Sequence, residues 1–155
     1  MHGNPKVIDA LNQLLAGELA AMHQYFIHSE MYADWGLSKL NQRIAHEFDD
    51  EKNHAKAIIA RILFLEGVPD METPAAIHVG KDVPSMLKND LDTEYTVAKN
   101  LKAAIKLCEK EQDYQTREML RQQLADTEED HTDWLEKQIH LIDLIGLKNY
   151  LQSQL

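Results

Sequence analysis

Two short stretches of the chain, Glu51-Lys52-Asn53-His54 and Glu128-Glu129-Asp130-His131, share the pattern Glu-x-x-His. Residues three apart on an α-helix lie on one face, so each stretch can present a carboxylate and an imidazole to the same point. Two such pairs, each joined by a further Glu from another helix, form a di-metal site inside a four-helix bundle. The two stretches therefore predict an all-α bundle, provided that two more glutamates lie at core positions.

Apolar residues recur at helical spacing in four long segments, which we expect to span residues 6–36, 37–66, 83–110 and 113–145. Residues 67–84 contain two glycines and three of the four prolines. This link is longer than is usual between antiparallel helices, and it predicts a long crossover between helices 2 and 3. The tail, residues 147–155, predicts a short fifth helix. We expect one domain over residues 1–155; two domains divided at the link are the competing interpretation.

Four glutamates interrupt the apolar stripes of the predicted helices, namely Glu18, Glu51, Glu94 and Glu128. The motif count alone is weak evidence, because eight histidines supply two such pairs by chance in about one chain in seven. The core positions of the four glutamates are stronger evidence. A buried carboxylate without a partner opposes folding, and the apolar stripes contain no Arg or Lys that could neutralise it. Two divalent cations would balance the four negative charges, which predicts a di-metal site. The alternative is that each carboxylate finds a separate partner of its own.

The spacing of these residues indicates an internal repeat and a ligand set. Glu51 and Glu128 are 77 residues apart, as are His54 and His131, while Glu18 and Glu94 are 76 apart. Carboxylate and imidazole ligands without a thiolate favour iron or manganese. The predicted assignment is Glu18 and His54 on one ion, Glu94 and His131 on the other, and Glu51 and Glu128 bridging them.

Composition excludes several classes of protein. The formal net charge of -10 argues against a nucleic-acid partner, which needs a basic surface. No apolar run approaches the length of a membrane span, about 18 residues. The polar N-terminus argues against a signal peptide, and the single cysteine, Cys108, fits a reducing cytoplasm. We therefore expect a cytoplasmic protein with neither a nucleic-acid nor a membrane partner.

Specific strings along the whole chain add a family resemblance. They are Gly17-Glu18-Leu19, Gln24-Tyr25-Phe26, Asp34-Trp35-Gly36-Leu37, Arg61-Ile62-Leu63-Phe64-Leu65-Glu66-Gly67, Asp133-Trp134-Leu135-Glu136 and Asn149-Tyr150-Leu151-Gln152-Ser153-Gln154. With the six ligand positions, they make the chain resemble the bacterioferritins almost from end to end. The resemblance implies a ferritin-like four-helix bundle and a hollow shell of 24 subunits. In that family, the shell oxidises Fe(II) with O2 or H2O2 at an intrasubunit di-iron site and stores the ferric mineral.

The same resemblance assigns three further residues. It places Tyr25 beside the di-iron site, and it places His46 and Asp50 toward the inner surface, where a further iron can bind. An ordinary polar helix face explains His46 and Asp50 equally well.

Three positions depart from the family pattern. Lys52 stands where the family has its axial haem ligand, a methionine, and a protonated lysine cannot ligate iron. This predicts a haem-poor or haem-free homopolymer, or a shell mixed with a haem-binding sister subunit. It also puts in doubt the ferredoxin partner that, in the family, docks over haem.

Ile58 stands where family members can carry a tyrosine, which leaves Tyr25 for any radical role. Thr127 is one extra residue before the second motif, and a π-turn could accommodate it.

Two other functions remain open at this point. One is a di-iron oxidoreductase or peroxidase of the same fold that forms no shell. The other is a purely structural helical bundle whose acidic residues are solvated.

Overall fold

The computed structural model of the chain describes residues 1–73 and 75–155. Its helices are α1 (Pro5–Asp34), α2 (Ser38–Phe64), α3 (Val83–Lys110), α4 (Tyr114–Ala125), α5 (Asp133–Ile145) and α6 (Leu147–Ser153), and a π-helical segment, Asp126–Thr132, joins α4 to α5. The α4, π-helical and α5 parts are continuous and form the fourth long helix. The predicted all-α fold is confirmed, and each predicted end of a long helix lies within two residues of the observed one.

Side-chain caps explain where α1 and α3 begin. Asn4 precedes α1 and accepts a hydrogen bond from the Lys6 amide, while Pro5 occupies the first turn, where its missing N–H is not needed. Before α3, Asp82 and Ser85 form a reciprocal capping box. These local signals explain why α3 begins at the predicted residue.

The crossover between α2 and α3 runs along α1. The Asn12 side chain donates to the Val68 carbonyl near the start of α1, and His28 Nε2 accepts from the Gly80 amide near its end. The chain therefore returns the full length of the bundle before α3 begins, which makes α3 parallel to α2 and antiparallel to α1. The long predicted crossover is thus observed; Pro74, which was counted in it, lies outside the described residues.

The predicted fifth helix, α6, packs against one end of the bundle. Tyr150 is fully buried there, and its hydroxyl donates to Gln138 Oε1 on α5 at 2.8 Å. The tail therefore has the apolar partner that its sequence requires.

The core consists of two apolar clusters. The first contains Val7, Leu11, Leu15, Ile58, Ile62, Leu101 and Leu120 among its buried residues, and the second contains Tyr32, Leu40, Ile44, Met86, Leu87, Leu135 and Tyr150. Between the two clusters lies a layer of buried acidic and imidazole side chains. Within the described residues, no helix combines the length and apolar character that crossing a membrane requires.

We predict that Ile58→Ala lowers the free energy of unfolding by about 2–5 kcal/mol, because it leaves a cavity in a fully buried position. Thermal unfolding followed by circular dichroism measures the change. Lys56→Ala, at an exposed position of the same helix, is the control and should leave the midpoint nearly unchanged. Equal midpoints for the two variants would contradict the packing described above.

Candidate metal centre

Five buried side chains meet in the layer between the two apolar clusters. They come from all four long helices and are Glu18, Glu51, His54, Glu94 and His131, each at most 6% exposed. All five are residues that the sequence predicts as ligands. They form two groups that share Glu51, and the potential ligand atoms of each group lie within 4.8 Å of one another.

The first group contains Glu18, Glu51 and His54. His54 Nδ1 lies 3.5 Å from Glu51 Oε2 and 3.8 Å from Glu18 Oε2. The other ring nitrogen, Nε2, lies 3.0 Å from a carboxylate oxygen of Asp126. A carboxylate on the outer nitrogen holds an imidazole in one orientation, as is usual for metal-ligating histidines.

The second group contains Glu51, Glu94 and His131. His131 Nδ1 lies 3.0 Å from Glu51 Oε1 and 3.3 Å from Glu94 Oε1. One oxygen of Glu51 therefore faces each histidine. The two imidazole rings are nearly parallel, with their centroids 6.2 Å apart. This arrangement places Glu51 where a carboxylate could bridge two ions.

Tyr25 lies beside the second group, as the resemblance implies. It is fully buried, and its hydroxyl donates a hydrogen bond to Glu94 Oε1. Burial, together with the negative charge of Glu94, raises the pKa of Tyr25 well above its ordinary value. The phenol therefore stays protonated and fixes the orientation of the carboxylate.

Several polar atoms of the layer lack hydrogen-bond partners within the described residues. Both oxygens of Glu18 and Glu51, Oε2 of Glu94 and Nδ1 of His54 are buried and make no hydrogen bond, although the imidazoles lie close to the carboxylates. Unpaired buried carboxylates are costly unless they are neutralised or coordinate a metal ion. The donor set therefore fits one or two divalent cations.

The pKa values of these groups follow from burial and from their mutual charges. Burial, then the charge of Glu51, raises the pKa of Glu94 to about 7, and the same two causes raise the pKa of Glu18. Burial alone would lower the pKa of His54, but the adjacent carboxylates raise it to about 11. Without a cation, protons on these groups balance the carboxylate charge, and a bound divalent ion would displace them.

Glu128 does not join the layer, and the expectation that it occupies a core position is wrong. Its side chain is 43% exposed, and Oε1 lies 3.4 Å from Lys102 Nζ. Thr127, rather than Glu128, is buried at this turn of the fourth long helix, and its Oγ1 has no hydrogen-bond partner within the described residues. The reason is the π-helical segment, Asp126–Thr132, whose wider turn accommodates the extra residue and changes which side chain faces inward. The predicted π-turn is confirmed. Because of this turn, counting residues at α-helical spacing along the fourth long helix does not identify the side chain that faces the core.

His46 and Asp50 lie on the opposite side of His131 from Glu51. His46 is 57% exposed, and its Nε2 lies 3.2 Å from Asp50 Oδ2. The same Asp50 oxygen lies 3.1 Å from His131 Nε2. The structure thus brings Asp50 into contact with a predicted ligand and leaves His46 at the periphery.

Two groups of buried polar residues were missed by the sequence analysis. Glu47 is buried one helical turn before Glu51, and its Oε2 lies 2.5 Å from His131 Nε2. Asp90 is buried one turn before Glu94 and lies 2.8 Å from His28 Nδ1. The signal in both cases was an acidic residue four positions before a predicted ligand, on the same helix face.

Comparison with known proteins adds the family. A model of the ferritin-like domain matches residues 8–145. A bacterial ferritin of Synechocystis sp. is 61% identical over 100% of this chain and 99% of its own length, and one of Pseudomonas aeruginosa is 56% identical over 100% of both. A bacterioferritin of Mycobacterium avium is 40% identical over 97% of this chain and 94% of its own length. With these relatives, and with five acidic and imidazole groups converging from four helices, the chain belongs to the bacterioferritins of the ferritin family.

Proposed function

We propose that this chain is a subunit of an iron-storage protein that oxidises Fe(II) at the candidate metal centre. One observation carries the proposal: three buried carboxylates from three helices converge without hydrogen-bond partners for most of their oxygens. The ligand types favour iron, and the family is that of the ferritins. Ferroxidase activity and iron storage follow as the function that this geometry supports best.

The chain's own residues have distinct tasks in this proposal. Glu18 and His54 hold one Fe(II), Glu94 and His131 hold the other, and Glu51 bridges them. Two iron ions held together supply one electron each to O2 or H2O2. Tyr25 keeps Glu94 oriented by its hydrogen bond, and the two apolar clusters keep bulk water away from the layer. Binding releases protons from His54 and His131, because an imidazole must lose a proton to ligate a metal.

The proposed assembly is a shell of 24 subunits in the cytoplasm. Several large apolar side chains on α1 and α2 are exposed in the single chain, among them Phe26, Leu63 and Phe64. Exposed apolar surface of this kind is typical of faces that pack against other subunits. The single cysteine, Cys108, is buried, and burial raises its pKa to about 11, which fits a structural role rather than a reactive thiol.

Lys52 supports a haem-poor shell. It is exposed on α2, immediately after Glu51, where the family's haem-ligating methionine would stand. A lysine at this position offers a charged ammonium instead of a thioether. The chain therefore forms a haem-free homopolymer in this proposal; a shell mixed with a haem-binding sister subunit is the alternative.

We predict that Glu94→Ala and His131→Ala each slow Fe(II) oxidation by more than about 100-fold, since even groups that only orient metal ligands cost about 10- to 100-fold when removed. Stopped-flow absorbance after mixing Fe(II) with aerated buffer measures the rate, and circular dichroism verifies the fold. Glu129→Gln, an exposed residue beside the centre, is the matched control. Oxidation at the wild-type rate in either alanine variant would refute the assignment.

A second prediction concerns Glu128, whose role as a bridging ligand stays a prediction of the sequence. Because its carboxylate faces outward against Lys102, we expect Glu128→Gln to leave anaerobic Fe(II) binding within about two-fold of the wild type, as for other exposed sites. Equilibrium dialysis measures the affinity, with Glu51→Gln as the variant that should lose binding. A large loss in Glu128→Gln would instead mean that the π-helical segment shifts by one residue when metal binds.

The purified protein should have a mass close to 24 times the chain mass of 17.8 kDa, and it should contain haem well below one per subunit pair. Light scattering on a size-exclusion column measures the mass, and a pyridine haemochrome assay measures the haem. A small oligomer with intact Fe(II) oxidation would favour the oxidoreductase without a shell. Stoichiometric haem would contradict the argument from Lys52.

A further inference from the structure

Three buried polar side chains join α1 to α3 one helical turn from Glu94. They are Gln24 and His28 on α1 and Asp90 on α3, and each is at most 2% exposed. Gln24 Nε2 donates to Asp90 Oδ1 at 2.8 Å, and His28 Nδ1 lies 2.8 Å from the same oxygen. Asp90 therefore holds two side chains of α1 through one carboxylate oxygen.

The crossover fixes the tautomer of His28. The Gly80 amide donates to His28 Nε2 at 3.1 Å, so this nitrogen offers its lone pair and carries no proton. The ring proton is then on Nδ1, which donates to Asp90. His28 is consequently neutral, and its imidazole links the crossover to Asp90 in a single orientation.

Gln24 makes a second link of the same kind. Its Oε1 accepts from the His78 amide in the crossover at 2.9 Å, while its Nε2 donates to Asp90. Gly80 is also confined from the side of α3, since a Cβ there would lie 2.5 Å from the Met86 amide nitrogen. The crossover, α1 and α3 are therefore tied together around Asp90.

This network lies directly beside the pair of residues that orients a predicted ligand. Gln24 precedes Tyr25 on α1, and Asp90 lies four residues before Glu94 on the same face of α3. The Tyr25 hydroxyl donates to Glu94, so this hydrogen bond joins the same two helices one turn further along. A change in the separation of α1 and α3 at Asp90 would therefore shift Glu94 relative to Tyr25.

We propose that Asp90 is a positioning residue for the metal centre, acting through Gln24 and His28. Its two hydrogen bonds set the spacing of α1 and α3 where Tyr25 holds Glu94, and they seat the crossover against both helices. Within the described residues, Asp90 belongs to none of the groups of potential metal ligands, so it acts by position and not by coordination. The inference rests on the proposed function, in which Glu94 is a metal ligand.

A purely structural role for the network is the competing explanation. Losing buried hydrogen bonds lowers the stability of any fold, whatever else the residues do. A structural role would lower the thermal midpoint without a specific effect on metal binding. The test must therefore compare Asp90 variants with a variant that is destabilised far from the centre.

The test is a titration of the assembled metal-free protein with Co(II), which accepts the same nitrogen and oxygen ligands, followed by visible absorption. Asp90→Leu removes both carboxylate oxygens, and we expect it to weaken Co(II) binding by about 10-fold or more, as for other groups that orient metal ligands. Asp90→Asn keeps one accepting oxygen and should bind Co(II) within about three-fold of the wild type.

Two further variants complete the titration. Leu11→Ala removes a buried side chain about 20 Å along α1 from Tyr25. As the matched control, it should lower the thermal midpoint and leave Co(II) affinity within about two-fold of the wild type. Gln24→Met removes one of the two links to Asp90 and serves if Asp90→Leu does not fold. We expect it to weaken Co(II) binding by about three-fold or more.

Hydrogen exchange of the metal-free protein, read by mass spectrometry, measures the link to the crossover without any metal. The amides of His78 and Gly80 are held by Gln24 and His28, so they should exchange faster in Asp90→Leu than in the wild type. In Asp90→Asn their exchange should resemble that of the wild type.

Each outcome supports or overturns the positioning role. Wild-type Co(II) affinity in Asp90→Leu, or in Gln24→Met where Asp90→Leu does not fold, would overturn it and leave the proposed function intact. An equal loss of affinity in Leu11→Ala would also overturn it, because stability would then control binding. Unchanged exchange at His78 and Gly80 would overturn the link to the crossover. If the wild type binds no Co(II), the proposed function fails, and the positioning role fails with it.

Discussion

The structure depends on the burial of three carboxylates in the middle of an otherwise apolar bundle. Glu18, Glu51 and Glu94 are at most 1% exposed, and apolar side chains pack above and below them. Burial of this much charge opposes folding unless protons or cations neutralise it. The two histidines are the groups that can change roles: they hold protons when no cation is bound and offer lone pairs when one is. Folding and metal binding are therefore linked through the same five side chains.

The long crossover is what brings these side chains together from two halves of the sequence. Because α3 runs parallel to α2, the two helical hairpins are related by an approximate two-fold arrangement. Glu18 in the first hairpin then corresponds to Glu94 in the second, and His54 corresponds to His131. Hydrogen bonds from Asn12 and to His28 hold the crossover against α1 over its length. The repeat in the sequence thus becomes two groups of potential metal ligands that share Glu51.

Much of this could be predicted from the sequence, and the wrong position of Glu128 has a physical cause. Long amphipathic segments with clear caps, such as α3 after Asp82, leave little freedom in where a helix begins. The predicted ligands are buried together where the helices are regular, whereas the expected core position of Glu128 is wrong, because a π-helical segment changes the register there. The extra residue can be counted in the sequence. Which side chain then faces the core is decided by the packing of the π-helical segment against the other helices, and the sequence alone does not give it. Glu47 was missed for a different reason: it is buried one turn before Glu51, but it lies outside the apolar positions that define the predicted stripe of this helix.

Carboxylates lie close to both ring nitrogens of His131, so its tautomer decides which side of the ring can ligate an ion. The pKa of His131 is raised, although burial alone would lower it, because it contacts Glu47 on one side and the Glu51 group on the other. A neutral imidazole has one N–H and one nitrogen with a free lone pair, so in that form His131 could ligate an ion on one side only. A proton on Nε2, the nitrogen that faces Glu47, would leave the lone pair of Nδ1 directed at Glu51 and Glu94, which is the tautomer that a metal ligand in the buried layer needs.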